Sequence, residues 1–294
     1  MQDNVSATVQ WFPGHMAKTR RQIKESLPLA DAVVELLDAR IPNASTNPEL
    51  GGLIESKPRL RLLNKADLAD PEATRAWLSY YKKRGDAAIA ADCRSGKGLG
   101  QFRPAVNALL ADKIRSNAEK GMAGKALRLM VVGVPNTGKS SLINRLSGKS
   151  AAKTEDRAGV TRRNKWYVIG GGLELLDTPG VLWPKFEDPE VGVKLAFTGG
   201  VKDQILDTET LAMRLLQTLS ALYPDRLRER YRLPDDFAEK EPYEMLETVA
   251  RKRGMLVSGG EADTERAAVM LFDELRAGKL GAITFELPPL EAQT

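Results

Sequence analysis

Two short motifs stand in an unusual order along this chain, and their order constrains the fold more than any other feature. Asn64-Lys65-Ala66-Asp67 follows an early apolar run, and Gly133-Val-Pro-Asn-Thr-Gly-Lys139-Ser140 follows a later one. The later motif has the spacing of a phosphate-binding loop. The earlier one has the side chains that read guanine, and such motifs ordinarily come after the phosphate loop. The reversal therefore predicts a nucleotide-binding domain whose elements are circularly permuted.

The chain between residues 29 and 200 alternates short apolar runs with amphipathic stretches, which predicts a mostly parallel α/β sheet with helices on both faces. The predicted strands are Ala32–Leu37, Leu60–Leu63, Ala87–Ala91 and Leu127–Val132, with a hairpin pair at Trp166–Ile169 and Leu173–Leu176. The predicted helices cover residues 71–84, 99–116 and 140–146. Parallel strands place ligands at their carboxyl ends, where both motifs fall.

The pattern predicts three segments. Residues 1–28 form an amino-terminal arm, residues 29–200 the permuted nucleotide-binding domain, and residues 201–294 a small all-helical domain that we expect to bind RNA or ribosome. Helical periodicity covers residues 206–222, 242–253 and 263–277, and residues 181–205 are expected to act as a connector.

Bulk properties fit a cytoplasmic protein with no membrane partner, and we expect a monomer. The single cysteine, Cys93, excludes an internal disulfide framework and suits a reducing compartment. No apolar run approaches the roughly 20 residues that span a bilayer. The net charge of +5 favours an anionic partner only weakly. Basic residues cluster at Lys18, Arg20, Arg21 and Lys24 and again at Arg145, Lys149, Lys153, Arg157, Arg162, Arg163 and Lys165, where a solvated surface is the alternative.

The phosphate loop supplies most candidate nucleotide ligands. Its glycines let backbone N–H groups turn toward phosphate oxygens. Lys139 is predicted to neutralise the β- and γ-phosphates, and the Ser140 hydroxyl to bind Mg²⁺. The candidate residues are Asn136, Thr137, Gly138, Lys139, Ser140 and Ser141.

Guanine recognition is predicted for the earlier motif. Asp67 can accept hydrogen bonds from N1–H and the exocyclic amine of guanine, which adenine cannot offer there. Asn64 can bond the other edge of the base and tie it to the phosphate loop, while the stem of Lys65 covers its face. Cys93 and Arg94, after the next strand, are expected near the guanine O6.

A third motif, Asp177-Thr-Pro-Gly180, ends another strand. Asp177 is predicted to hold Mg²⁺ through water, and the Gly180 N–H to meet the γ-phosphate, so that the loop senses hydrolysis. Thr161 is the predicted second hydroxyl ligand of Mg²⁺, with a loop-to-strand turn as the structural alternative.

Together these motifs make the whole chain resemble the circularly permuted GTPases of the ribosome biogenesis GTPase A family. The resemblance rests on the three motifs above and on Trp11–Lys18, Asp38-Ala-Arg40-Ile-Pro42, Asp177–Pro184 and Gly199–Asp203. It implies a GTP-hydrolysing assembly factor that binds the precursor of the large (50S) ribosomal subunit and its rRNA, and leaves after hydrolysis. Two features depart from the family pattern: Ala158 stands where Pro is usual, and Arg162 and Arg163 follow Thr161.

The glutamine that many GTPases use in catalysis is absent from its usual position in this sequence. They orient water with a Gln after Asp-x-x-Gly, whereas this chain has Val181 there. The resemblance implies that His15, the sole histidine, acts instead; a structural or RNA-facing histidine is the alternative. Asn136 is a candidate for holding a K⁺ ion that supplies charge, with a hydrogen bond inside the loop as the alternative.

A second class of function stays open from the residues alone. The chain could be a GTP-dependent regulatory switch that binds a protein and has no RNA partner. A GTPase acting in RNA modification is a weaker alternative, because no second catalytic domain is recognisable in the sequence.

Overall fold

The computed structural model describes residues 13–148, 165–182, 186, 188–201 and 207–289. The chain divides into two compact units. The α/β unit contains residues 10–184 and 286–294, and the helical unit contains residues 185–285 with 1–9. The predicted domain boundaries at residues 28 and 200 come from the sequence pattern, whereas this division follows contacts in space. The boundaries therefore stay predictions.

A six-stranded sheet forms the centre of the α/β unit. Its strands are β1 (Ala32–Asp38), β2 (Arg59–Asn64), β3 (Ala87–Ala91), β4 (Leu127–Val132), β5 (Trp166–Ile169) and β6 (Leu173–Asp177), in the spatial order β3-β2-β1-β4-β6-β5. All neighbours are parallel except β5 and β6, which form an antiparallel hairpin at one edge. The predicted fold class is confirmed.

Among the described residues of this unit, the helices are α1 (Pro13–Ser26), α2 (Pro48–Ile54), α3 (Pro71–Lys83), α4 (Phe102–Leu109), α5 (Ala111–Glu119) and α6 (Lys139–Ser147). The single helix predicted at 99–116 is wrong in detail. A 3₁₀ turn at Leu99–Gln101 precedes α4, and Leu110, with φ −108° and ψ 21°, separates α4 from α5. Helices α1 and α2 were not predicted, because α1 is too polar to show a strong apolar period and α2 is short.

Apolar side chains cover both faces of the sheet. On one face Val34 and Leu36 of β1 share a core with Phe102 and Val106 of α4. On the other face Val33 of β1 packs in a core that includes Ile23, which α1 contributes fully buried. Since strand side chains alternate between faces, a buried strand with apolar residues at consecutive positions needs helices on both sides.

The helical unit consists of α7 (Pro189–Phe197), α8 (Thr208–Leu222), α9 (Pro224–Tyr231), α10 (Pro242–Lys252) and α11 (Thr264–Arg276). The three predicted helices are confirmed within two residues at each end. Helix α7 lies inside the expected connector, so that stretch is not a simple linker. Aspartates cap several of these helices; for example, the carboxylate of Asp188 accepts from the Glu190 N–H at 2.9 Å.

Within the part of the chain that the structure describes, no helix combines the length and apolar character needed to cross a membrane.

Candidate nucleotide-binding site

The three motifs meet at one edge of the sheet. Strands β1, β2, β3, β4 and β6 run in parallel, so their carboxyl ends lie side by side. The register pairs Asp38 with Asn64, Asn64 with Ala91, and Val131 with Asp177. Motifs far apart in sequence are thus neighbours in space, and their reversed order in the chain does not change the edge at which they lie.

The phosphate loop is tightly folded around two glycines. A Cβ on Gly133 would lie 2.5 Å from the carbonyl oxygen of Leu36, and Gly138 has a left-handed φ of +99°. Asn136 also adopts a positive φ of +60°, which asparagine tolerates better than most residues. The hydroxyl of Thr137 donates to the carbonyl of Val134 at 2.9 Å. The sequence therefore fits this loop conformation at each of these positions.

Lys139 lies at the centre of the loop. Its side chain is 8 % exposed, and Nζ donates to the carbonyl oxygens of Val134 at 2.8 Å and Gly133 at 3.1 Å. Burial lowers the pKa of Lys139 to about 8, while the nearby Asp177 carboxylate acts in the opposite direction. A cation held this way gains strongly from a phosphate that replaces the carbonyl partners.

Helix α6 begins at Lys139 and leads directly out of the loop. Its first hydrogen bond of the α type runs from Leu142 N–H to the Gly138 carbonyl at 2.9 Å. The amides of Lys139, Ser140 and Ser141 therefore precede the helical ladder, as the first amides of any helix do. Together with the helix dipole, such amides favour an anion at this end.

Asn64 connects the base-reading motif to the phosphate loop. Its side chain is buried, Nδ2 donates to the Thr137 carbonyl at 2.6 Å, and Oδ1 accepts from the Cys93 N–H at 2.9 Å. Asn64 therefore joins the motif directly to the phosphate loop. The proposed contact of Asn64 with the base itself stays a prediction.

Lys65 has an ionic partner that the sequence did not reveal. Its Nζ donates to Asp38 Oδ2 at 2.9 Å, and Arg40 donates to the same carboxylate from Nε at 2.9 Å and from Nη2 at 2.8 Å. Although burial alone would raise it, Arg40 and Lys65 hold the pKa of Asp38 well below its ordinary value. Residue spacing gives no sign of this triad, because it forms between adjacent strand ends.

The loop after β3 is shaped by Asp92. Its carboxylate accepts from the amides of Arg94 at 2.8 Å and Ser95 at 3.2 Å. Cys93 is 1 % exposed, and burial raises the pKa of its thiol to about 12. The amides of Cys93 and Arg94 thus already donate within the protein, and their predicted proximity to guanine O6 stays untested.

The Asp177–Gly180 loop lies against the phosphate loop. A Cβ on Gly180 would come within 2.9 Å of Pro135 N and Cα, so only glycine permits this approach. The hydroxyl of Thr178 donates to the Val131 carbonyl at 2.6 Å. Asp177 is half-buried; burial raises the pKa of its carboxyl, against the opposing effect of Lys139.

Val181 is fixed by its backbone on both sides. Its N–H donates to the Gly133 carbonyl at 3.2 Å, and its carbonyl accepts from Asn47 Nδ2 at 3.1 Å. The Val181 side chain is 4 % exposed in the core that contains Ile23. Asn47 also caps α2 through Oδ1, a role that the Asn-Pro start of that helix indicates. Its bond to Val181 could not be predicted, because the two residues are distant in sequence.

The structure does not place the side chains of two predicted residues. Thr161 falls in residues 149–164, outside the described residues, and His15 is described only as a backbone position in α1. The remaining Mg²⁺ candidates suit that ion, because a hydroxyl from Ser140 and a carboxylate from Asp177 are hard oxygen donors. The half-buried Asp177, whose charged form burial disfavours, would gain from a nearby cation. When bound, Mg²⁺ supplies charge neutralisation at the phosphates.

A mostly parallel sheet carrying a phosphate loop tied to an Asn-Lys-x-Asp motif defines the class of P-loop GTPases. Residues 128–230 match the family model described as "50S ribosome-binding GTPase". The chain is 48 % identical over 285 residues to ribosome biogenesis GTPase A of Priestia megaterium, covering 96 % of this chain and 97 % of that protein. The corresponding Thermotoga maritima protein is 32 % identical, with 95 % of each covered.

Solved structures agree with these relatives. The structure of GNP-bound YlqF from T. maritima superposes with a TM-score of 0.63 at 31 % identity, covering 92 % of this chain and 98 % of that one. The GDP-bound structure of TM YlqF gives a TM-score of 0.67 at the same identity, covering 91 % and 99 %. This chain belongs to the ribosome biogenesis GTPase A family. It is an enzyme that hydrolyses GTP.

Proposed function

We propose that this GTPase is an assembly factor that binds the precursor of the large ribosomal subunit in its GTP state and is released after hydrolysis. The observation that carries the proposal is 48 % identity, over 96 % of the chain, to a protein named ribosome biogenesis GTPase A. The Asn64–Thr137 hydrogen bond, which joins the proposed base-reading motif to the phosphate loop, supports the nucleotide dependence. We propose a monomer acting in the cytoplasm, with an arm at 1–28, a permuted GTPase domain at 29–200 and a ribosome-binding helical domain at 201–294.

The proposed roles at the nucleotide follow the geometry of the sheet edge. Asp67 reads guanine, Lys65 covers the base and Asn64 holds the two halves of the site together. Lys139 and the amides of α6 hold the phosphates, and the Gly180 N–H meets the γ-phosphate. Ser140, Asp177 and Thr161 hold Mg²⁺. The buried Asn64 and the close approach of Gly180 to Pro135 support this arrangement.

Hydrolysis requires a group that Val181 cannot supply. Its side chain lies in the apolar core rather than free at the loop surface, so the position after Gly180 cannot orient water. We propose that His15 accepts a hydrogen bond from the attacking water when the protein is bound to the ribosomal precursor. Asn136, exposed on the loop with a left-handed backbone, is the proposed site of K⁺.

The helical unit has a surface suited to rRNA, which we call the basic cleft. It is a cavity of about 920 Å³ lined by Arg226, Glu229, Arg230, Tyr231, Arg232, Lys252, Arg253, Lys279, Leu280, Gly281 and Ala282. Six of these residues are cationic and one is acidic. A concave surface of one sign concentrates field lines and attracts a polyanion.

A buried carboxylate holds three of the residues that line this cleft. Glu274, 4 % exposed, accepts from Arg230 Nη2 at 2.5 Å, from Arg253 Nη2 at 3.1 Å and from the Tyr231 hydroxyl at 2.9 Å. Arg232, Lys252 and Lys279 are exposed, and none has an ion-pair partner among the residues that the structure describes. Two arginines are therefore fixed in place, and three further cations remain available to phosphates.

Sedimentation tests the central proposal. The protein with a non-hydrolysable GTP analogue should co-sediment with 50S precursor particles, and the protein with GDP should not. Equal sedimentation in both states would contradict release after hydrolysis. No sedimentation in either state, with a protein captured instead, would favour a regulatory switch without an RNA partner.

Salt dependence tests the basic cleft. The triple variant Arg232→Ala, Lys252→Ala, Lys279→Ala should weaken binding to the precursor and lower the slope of log K against log salt by about 3, because each phosphate contact contributes about one unit. The exposed Arg266→Ala on α11, outside the cleft, is the matched control and should change neither. An unchanged slope in the triple variant would remove the cleft from the interface.

Turnover of His15→Ala at saturating precursor tests the catalytic role. We expect a loss of stimulated turnover of roughly 10²–10⁴-fold, the usual contribution of a positioned acid–base group, with GTP affinity unchanged. Equal turnover in the variant and the parent protein would sink the assignment. Equal GTP turnover in Na⁺ and K⁺ would contradict the proposed K⁺ site at Asn136.

A further inference from the structure

A buried ionic triad lies directly beside the base-reading motif. Asp38 at the end of β1 accepts from Arg40 and from Lys65, and the Asp38 and Arg40 side chains are 4 % and 2 % exposed. The Arg40 amide also donates to Asp38 Oδ1 at 3.1 Å. Nothing in the P-loop or in the Asp177–Gly180 loop takes part in these bonds. The triad therefore serves the part of the site around residues 64–67.

Stability alone does not explain the burial of Arg40. Its Nη1 is buried and makes no hydrogen bond to the residues that the structure describes. Removing a guanidinium from water costs several kcal/mol, and apolar side chains of similar volume often serve a core as well or better. A buried ion pair at a strand end is better explained by the position it imposes on its neighbours.

The neighbour that the triad fixes is the turn from Asn64 to Asp67. Lys65 adopts a left-handed φ of +59°, which is unfavourable for a residue with a Cβ. Three bonds hold it there: Lys65 Nζ to Asp38, the Ala39 N–H to the Asn64 carbonyl at 2.8 Å, and the Ala66 N–H to the Ala91 carbonyl at 3.2 Å. The turn is thus fixed from β1 on one side and β3 on the other.

Arg40 also acts electrostatically on Asp67. Burial would lower the pKa of Arg40, but Asp38 first and Asp67 second raise it. The two opposite charges therefore attract each other across this turn. Asp67 itself is exposed.

We propose that Arg40 is a specificity-positioning residue for guanine: through Asp38 it fixes Lys65 over the base, and its positive charge helps to direct the Asp67 carboxylate at the base edge. The inference rests on the proposed role of Asp67. The class of ligand it selects is a purine nucleotide that carries both an N1–H and an exocyclic 2-amine.

Nucleotide selectivity separates positioning from folding. Inosine diphosphate lacks the 2-amine, so the ratio of IDP to GDP dissociation constants measures how well Asp67 reads it. In Arg40→Met this ratio should fall by roughly tenfold, the value of one charged hydrogen bond. The exposed Arg75→Met on α3 is the matched control and should keep the parent ratio. If Arg40 only stabilised the fold, the affinities for GDP and IDP would fall by the same factor and their ratio would stay unchanged. That result would overturn the proposal.

Two further variants keep the test decisive. Arg40→Lys retains the charge and loses the bidentate fork, so it should keep part of the selectivity; a ratio as low as that of Arg40→Met would contradict the electrostatic part. Asp38→Asn removes the anchor of Lys65 and should also lower the ratio. It replaces Arg40→Met as the deciding variant if thermal unfolding shows that Arg40→Met does not fold.

Asp67→Asn distinguishes failure of this inference from failure of the site assignment. An amide donates where the carboxylate accepts, so this variant should bind xanthosine diphosphate, which has a carbonyl in place of the 2-amine. If Asp67→Asn gains this binding and Arg40→Met keeps its selectivity, only the role of Arg40 is wrong. If Asp67→Asn gains nothing, Asp67 does not read the base and both proposals fall.

Discussion

Asn64 Nδ2 and the carbonyl oxygen of Thr137 are joined by a 2.6 Å hydrogen bond that links the end of β2 to the phosphate loop. The two strands concerned are not neighbours, since β1 lies between β2 and β4. The Asn64 side chain therefore connects β2 to the loop after β4, which backbone pairing cannot do because β1 lies between these strands. A movement of the loop would act on this bond and, through it, on the turn at residues 64–67.

Replacing this side chain should separate the two halves of the site. Asn64→Ala leaves the Thr137 carbonyl and the Cys93 amide without their partner, at a cost of about 1–3 kcal/mol for a buried polar group. We expect GDP and GTP affinity to fall roughly tenfold to hundredfold, measured with a fluorescent nucleotide. Asn107→Ala, an exposed position on α4, should match the parent protein. Parent-like affinity in Asn64→Ala would show that the bond is incidental.

A methyl group at Gly138 should disrupt the same contact from the opposite side. The added Cβ would overlap Asn64 Nδ2, and alanine is strained at φ +99°. Gly138→Ala is expected to bind nucleotide at least tenfold more weakly. Gly52→Ala in α2 meets nothing within 4 Å and serves as control. Equal binding by both variants in equilibrium titrations would contradict the tight packing inferred for the loop.

The sheet was predictable because each parallel strand is a short, predominantly apolar run that is followed by a polar turn or motif. Ala87–Ala91 and Leu127–Val132 agree with the structure at both ends, since the following residues turn at once into loops. Helix α4 was harder: its apolar face continues past Leu110, although the backbone breaks there. Periodicity reports which side chains are buried and not where a helix is interrupted.

The phosphate loop was predictable from its residues, whereas the links around it were not. The spacing of Gly138 and Lys139 from Gly133 identifies the phosphate loop in the sequence. The bonds from Asn47 to Val181 and from Lys65 to Asp38 depend on which strands become neighbours, and a single sequence does not state that. The motif Asp38-Ala-Arg40 could be recognised in the sequence, but its role could not be predicted. The triad with Lys65 forms only when β1 and β2 pair.

Phosphate binding should weaken in mildly alkaline solution. The pKa of Lys139 is lowered to about 8 by burial, so the unbound protein loses this charge as pH rises through 8. A bound phosphate favours the charged form and must restore the proton. GDP affinity is therefore expected to fall by up to roughly tenfold per pH unit above 8, in titrations from pH 7 to 9.

The same lowered pKa affects stability with the opposite sign. The unfolded chain holds the proton up to the ordinary lysine pKa, so between these two values the unfolded state binds more protons and this group makes folding more favourable as pH rises. Lys139→Arg is the control for the affinity measurement. Its arginine stays charged from pH 7 to 9, whereas any titration of the guanine base affects the variant and the parent protein equally. A parallel loss of affinity in Lys139→Arg would show that Lys139 is not the titrating group.

Neutralising Glu274 should loosen the helical unit. The pKa of this carboxyl is lowered, since its bonds to Arg230 and Tyr231 outweigh the opposing effect of burial. Its contribution to stability is present above the ordinary glutamate pKa and is lost as pH falls below that value. Glu274→Gln should reduce the free energy of unfolding at pH 7 by roughly 1.5–3 kcal/mol, measured by urea denaturation. The exposed Glu229→Gln of α9 should leave it unchanged, and an equal effect of both variants would refute the anchoring role.

Restoring the glutamine of other GTPases at Val181 should not accelerate hydrolysis. The Val181 side chain is buried, and its backbone is held by Gly133 and Asn47, so a glutamine there enters the apolar core instead of reaching the nucleotide. Burying its amide without partners costs about 1–3 kcal/mol. Val181→Gln is therefore expected to unfold at a lower temperature with no gain in GTP turnover. Val168→Gln, at a half-exposed position on β5, controls for the substitution itself. Faster turnover in Val181→Gln would mean that this loop reorients to expose residue 181, and a catalytic group outside the loop would then no longer be required.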